Sequence, residues 1–204
     1  MAIVVVAILM LAVSPVIVLS VASRVQARRV EMATQAARAY IDGVRNGAID
    51  PPPFISPNAN IKLEDYAYPL SSGSLNCAAN SYCLPPTPSD LYCVDSDGSG
   101  CSTSSLTDMV IQAFRLNLVS TDADQGYSLG LRVYRADAFK DSGPLKKTKL
   151  PNCTPTPQQN CTLAKQATFT GGLGDRKAPL VEMTTDIVTS KTNYSNFCSR
   201  LGGC

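Results

Sequence analysis

The sequence predicts an α+β fold: one long N-terminal helix laid on a small antiparallel sheet, with disulfide-rich loops. Three observations predict it. Residues 1–46 keep helical spacing without a break. Three later runs have the length and composition of strands. All eight cysteines lie beyond residue 76, outside the helical region.

The helix comes first. The stretch AIVVVAILMLAVSPVIVLSVASR, residues 2–24, carries no charge until Arg24. At about 1.5 Å per residue it is long enough to cross a hydrocarbon core of about 30 Å, so residues 1–23 are expected to form a transmembrane helix. A cleaved signal peptide would have a basic start and a shorter apolar centre. Pro15 interrupts the run, but proline is tolerated in membrane helices, and Ser14 can help satisfy the freed backbone groups.

Residues 24–47 are expected to continue the same helix in amphipathic form. Val30, Ala33, Ala36, Ala37, Tyr40, Ile41 and Val44 recur at three- and four-residue spacing, while Arg28, Arg29, Gln35, Arg38, Asp42 and Arg45 take other faces. The small, Ala-rich face should lie on a sheet. Asn46-Gly47 supplies a left-handed stop, and Pro51-Pro52-Pro53 prevents the helix from resuming.

Residues 48–204 are expected to be one extracytoplasmic globular domain. Residues 51–60 leave the helix as a proline-rich loop. Residues 61–105, mostly Ser, Pro, Asn, Gly and Cys, read as ordered loops held by cross-links in place of a core. The runs 109–121 and 127–139 are joined by the polar turn Asp-Ala-Asp-Gln-Gly, a hairpin signal, and 179–190 is the third strand. Leu129, Leu131 and Val133 share one face of the second run; Arg132 and Tyr134 share the other. A meander of three or four strands follows.

Cys77, Cys83, Cys93, Cys101, Cys153, Cys161, Cys198 and Cys204 read as a disulfide framework in an oxidising compartment. Short spacings favour the neighbour pairs 77–83, 93–101, 153–161 and 198–204, each worth roughly 2.5 kcal/mol in the chain-entropy picture. Pairs between loops are equally legal. Zinc is disfavoured, since the chain has neither a C-x-x-C spacing nor any histidine.

One cluster suits a cation. Asp95, Asp97 and Ser99 alternate around Gly98, like the oxygen-rich start of a calcium loop. The closing bidentate glutamate is missing, so a disulfide-closed polar turn is the competing reading. A net charge of +2 argues against nucleic acid as a partner. The absence of histidine removes the commonest general base, and no nucleophile motif stands out. Glu64, Asp65, Asp95, Asp97, Asp122 and Asp124 sit in polar loops where a solvated surface is the default. No enzymatic activity, catalytic residue or cofactor is expected.

A helix whose apolar half carries a central proline and whose second half packs on a small sheet resembles the type IV pilins and the pseudopilins of type II secretion-like systems. The segment SPVIVLSVASRVQARRVEMATQAARAYIDGVRNGAIDPPP is similar in particular to pseudopilins of the cyanobacterial hormogonium polysaccharide secretion system. The resemblance implies that Ser14 and Pro15 loosen the helix when subunits leave the membrane for a fibre. The family's prepilin peptidase site and acidic residue have no counterpart here, so Met1 is expected to be a late start.

The expected function is therefore a structural subunit of a fibre that assists export of a macromolecule, with polysaccharide the cargo the resemblance suggests. Its expected partners are other pilin-like subunits, an assembly platform, membrane lipid and the exported polysaccharide. The expected location is the inner membrane, single-pass, with the C-terminal domain in the periplasm. Arg24, Arg28 and Arg29 alone would place that domain in the cytoplasm; the cysteines and the resemblance place it outside. A membrane-anchored binding module for glycans, using Tyr66, Tyr68, Tyr82 and Tyr92, is the alternative.

Overall fold

In a computed structural model, helix α1 runs from Ala2 to Arg45 as a single element of 44 residues. The structure describes residues 2–55, 62–88, 90–148 and 175–200, with side chains from Ile17 onward except Val18 and Ser199. The expected rod of more than forty residues is present. Its end is the expected one too: Gly47 has φ +76°, and the amides of Ala48 and Ile49 both donate to the Gly43 carbonyl. Gly43 leaves room for Ile49, whose side chain would have to shift from a Cβ placed 2.5 Å away.

The expected membrane span, residues 1–23, is not recovered as one. Among the described residues, no helix is long and apolar enough to cross a membrane. The described side chains begin at Ile17 and meet charge at Arg24, which leaves too short an apolar stretch between them. Most of the run therefore lies outside the described side chains.

Past α1, the chain forms β1 (Leu70–Ser71), β2 (Leu91–Val94), β3 (Met109–Leu116), β4 (Tyr127–Arg135), β5 (Gly143–Pro144) and β6 (Val181–Ile187), then α2 (Tyr194–Arg200). The main sheet is an antiparallel meander in the order β2-β3-β4-β6, and β1 pairs with β5 apart from it. Ile111 of β3 stands opposite Tyr92 on one side and Val133 on the other, which fixes the register across three strands. The turn between β3 and β4 is a short 3-10 helix, Ala123–Gln125, in which the Asp122 carboxylate accepts from the Asp124 amide.

Both faces of this sheet are buried, each for a different reason. On one face Met109, Ile111, Ala113, Leu129, Leu131 and Val133 meet Ala33, Ala37, Tyr40, Ile41 and Val44 of α1. Ala33 and Ala37 are fully buried, so the helix backbone approaches the strands closely, as the spacing predicts. Each large side chain in this layer contributes about 1.5–3 kcal/mol by leaving water.

The opposite face corrects the expectation for residues 61–105. Cys77, Cys83, Leu91, Cys93 and Cys101 join Val110, Tyr134, Ala138, Phe139 and Leu145 in a second core. The region is not a set of loops without a core: it supplies β2 and half of this layer. Half-cystines pack as small hydrophobic groups, so the cross-links are themselves core material. The disulfides Cys77–Cys83 and Cys93–Cys101 are those the short spacings favour. Cys198 is also disulfide-bonded, its partner lying outside the described residues, as do Cys153, Cys161 and Cys204.

Candidate functional site

Three places in the fold concentrate chemistry: the part of α1 that leaves the head, an acidic turn, and a buried polar network under the sheet. The helix is the largest. Among the described side chains Gln26 is the first buried one along it, and toward the N-terminus Ile17, Leu19, Val21 and Val25 stand 58, 39, 56 and 45% exposed. These apolar side chains stand exposed on the part of α1 that precedes its packed face. Ser14 and Pro15 lie within α1, but their side chains fall outside the described ones.

The acidic turn is closed by Cys93–Cys101. Oxygens of Asp95, Asp97 and Asp108 lie within 4.8 Å of one another. The structure thus brings Asp95 and Asp97 together, with Asp108 as a third carboxylate. The Ser99 hydroxyl joins the same turn, donating to Asp97 Oδ1 at 2.5 Å. Asp108 escaped the sequence reading because it stands before β3, outside the alternating run, and reaches the turn only through the fold.

Backbone amides already occupy these carboxylates. Asp95 accepts from Gly100 at 2.6 Å, Asp97 at 2.8 Å and Gly98 at 2.9 Å. The Gly100 amide, ahead of the other two, holds the Asp95 carboxyl below its ordinary pKa. Asp108, fully buried, accepts from the Ser96 and Ser102 amides at 3.4 and 3.3 Å. The arrangement offers hard oxygen ligands, but its geometry is first that of a self-bonded turn.

The buried network was not legible beforehand. Arg132, expected on the face away from α1, is fully buried there. It donates to Glu182 Oε1 at 2.7 Å, Gln112 Oε1 at 3.1 Å, the Ala67 carbonyl at 3.1 Å and the Glu64 carbonyl at 3.2 Å. Gln112 passes a hydrogen bond on to Asp90 Oδ2 at 2.7 Å. Burial pushes the Asp90 carboxyl up. Burial also opposes charge on Glu182, but hydrogen bonds from Thr148 and Arg132 outweigh it and hold its pKa low. Lys147 Nζ donates to the Asp65 and Tyr66 carbonyls, and burial lowers its pKa.

These donors tie residues 64–67 to the sheet. A mostly apolar cavity of about 370 Å³ opens beside them, lined by Leu63, Phe114, Leu131, Thr148 and Met183 among others. The chemistry of the network is positional: the guanidinium, the carboxylates and the amide bind one another and the backbone.

The remaining candidates are accounted for in the same way. Asp122 caps its turn, and Asp124 pairs with Lys191. Tyr66 stacks on Phe114, and Tyr82 and Tyr92 pack edge-on against each other beneath Tyr40, so of the four tyrosines Tyr68 alone is more than a third exposed. No aromatic platform for a sugar ring is assembled among the described residues. No protein-family model, curated protein or solved structure matches the chain.

Proposed function

We propose that this chain is a pseudopilin, a structural subunit of a type IV pilus-like or type II secretion-like fibre that assists export of a macromolecule, polysaccharide being the cargo the sequence resemblance suggests. The single observation that carries the reading is α1. Its second half packs its Ala-rich face on the sheet, and ahead of that face Ile17, Leu19, Val21 and Val25 are exposed. The sequence from Ala2 to Ser23 holds no charged residue.

The physics follows from that division. The apolar half holds the monomer in the inner membrane, and the head, stapled by disulfides, stands in the periplasm. Transfer into a bundle of like helices replaces lipid contact with helix packing, for which Ala7, Ala12 and Ala22 permit close approach. Ser14-Pro15 supplies a point where the helix loosens. The subunit performs no chemistry; other subunits and an assembly platform are its partners.

Deleting the gene and measuring secreted polysaccharide and gliding motility tests the reading. Loss of both, restored by the intact gene, supports it. Unchanged export sinks it. An epitope on the head that alkaline carbonate releases from membranes would remove the anchor on which it rests.

A further inference from the structure

The direction of α1 against the sheet fixes which end of the head meets the membrane. Val44 and Tyr127 line one cavity at the far end of the helix, whereas Arg29 and Arg135 approach each other at the other end. The strand β4 therefore runs back toward the projecting rod. Its exit, the 3-10 turn Ala136–Phe139 and the segments 140–147 and 175–180 make up the proximal end on the β4–β6 side.

That flank is basic. Arg135, Lys140, Lys146, Arg176 and Lys177 face three carboxylates, of which Asp137 pairs with Arg135, Asp141 with Arg176 and Asp175 with Lys146. Lys177 Nζ donates to the Asp141 and Ser142 carbonyls, which leaves its charge uncompensated by a carboxylate. On α1 at the same level, Arg24 and Arg28 are exposed and Arg29 is half-buried. The other flank, beyond β2 and β3, is the acidic turn. The proximal end is thus electrically two-sided.

Distance makes this matter. The uncharged run ends at Ser23 and the basic flank meets α1 at the level of Arg29. Six residues of helix span about 9 Å, close to the Debye length of about 8 Å in physiological salt. Charges on the proximal end act on any surface in which the run is embedded.

We propose that the β4–β6 flank of the head docks on anionic phospholipid headgroups through Arg24, Arg28, Arg29, Lys140, Arg176 and Lys177, with the acidic turn tilted away from the bilayer. This rests on the anchoring of α1 proposed above. Docking gives the stored monomer one orientation about the helix axis, so neighbouring heads meet with a fixed azimuth.

The full chain, reconstituted in vesicles of phosphatidylcholine alone or with phosphatidylglycerol, tests this by flotation and by amide hydrogen exchange. Flotation with neutral vesicles reports anchoring; failure there overturns the anchored reading and this proposal together. With anchoring established, exchange in 136–147 and 175–180 should slow in anionic vesicles only, and the effect should vanish in high salt. The residues 95–102 should not be protected. The variant K140Q/R176Q/K177Q should lose the protection, each cation being worth about fivefold in the docked population. R24Q/R28Q, at exposed positions of α1, should weaken it without disturbing the fold. Equal exchange in both vesicles, or protection of 95–102 instead, overturns the proposal.

Discussion

The phenol oxygens of Tyr40 and Tyr82 lie 2.6 Å apart, joining α1 to the disulfide loop 42 residues later. Tyr82 also binds the Asp50 carbonyl at 2.9 Å, so the pair ties helix, exit loop and Cys-rich segment together. Removing one hydroxyl tests this link cleanly. Tyr40→Phe keeps the ring against Tyr92 and leaves Tyr82 its backbone partner, and should cost about 1 kcal/mol in urea unfolding. A loss near zero would mean the pair adds nothing.

Alkali should unfold the head. Burial, the first cause in each case, raises the phenols of Tyr40, Tyr66, Tyr82, Tyr92, Tyr127 and Tyr134, with Tyr127 pushed up to about 12. An unfolded phenol titrates near pH 10. Above that pH the folded state holds more protons than the unfolded one, so stability falls as pH rises. The contribution is complete below about pH 10 and is lost above it. Urea midpoints followed with tyrosinate absorbance should decline together through this window; a flat midpoint contradicts it.

Gly130 is required by its neighbour. A Cβ there would stand 2.2 Å from the Phe114 ring, which itself stacks at 4.4 Å on Tyr66 and lies 5.0 Å from the Arg132 guanidinium. Gly130→Ala should destabilise by about 1–3 kcal/mol through overpacking. Adding Phe114→Leu should recover part of that loss in calorimetry. Additive losses would refute the steric account.

Arg132 should be costly to remove alone and cheap to remove with its partner. Arg132→Met leaves Glu182 and Gln112 without their buried donor, a loss of about 3–5 kcal/mol. The double variant Arg132→Met with Glu182→Met should regain most of it. Chemical denaturation of the single and double variants completes the cycle, and equal stability of the two would refute the pairing.

Removing Cys93 and Cys101 together by serine should destabilise by roughly 2–4 kcal/mol. Peptide mapping without reduction should recover Cys77–Cys83 and Cys93–Cys101 as linked fragments. Recovery of a 77–93 or 83–101 linkage would reverse the assignment.

What could be read beforehand followed from period and punctuation. The Ala-rich face of α1 and the three long strands rest on patterns of seven residues or more, where spacing is unambiguous, and the stop at Gly47 rests on the punctuation Asn46-Gly47. The strand β2 has four residues, Leu-Tyr-Cys-Val, too few to show a period among Ser and Pro. The alternation gives Arg132 its face, but a charged residue in such a pattern reads as solvent-facing. Only the chain crossing at residues 64–67 buries it, and a crossing is a non-local fact. Asp108 was missed for the same reason. The apolar run of α1 was legible as composition, whereas its projection beyond the head required knowing where the sheet ends.

Two half-cystine pairs sit among the residues that fill the second core, so reduction removes two cross-links from inside that layer. Packing on this side of the sheet is thereby tied to redox state. Until an oxidant is met, the layer is held by burial alone. If the chain is exported as proposed, any oxidase or isomerase that serves it would govern how many heads carry both cross-links.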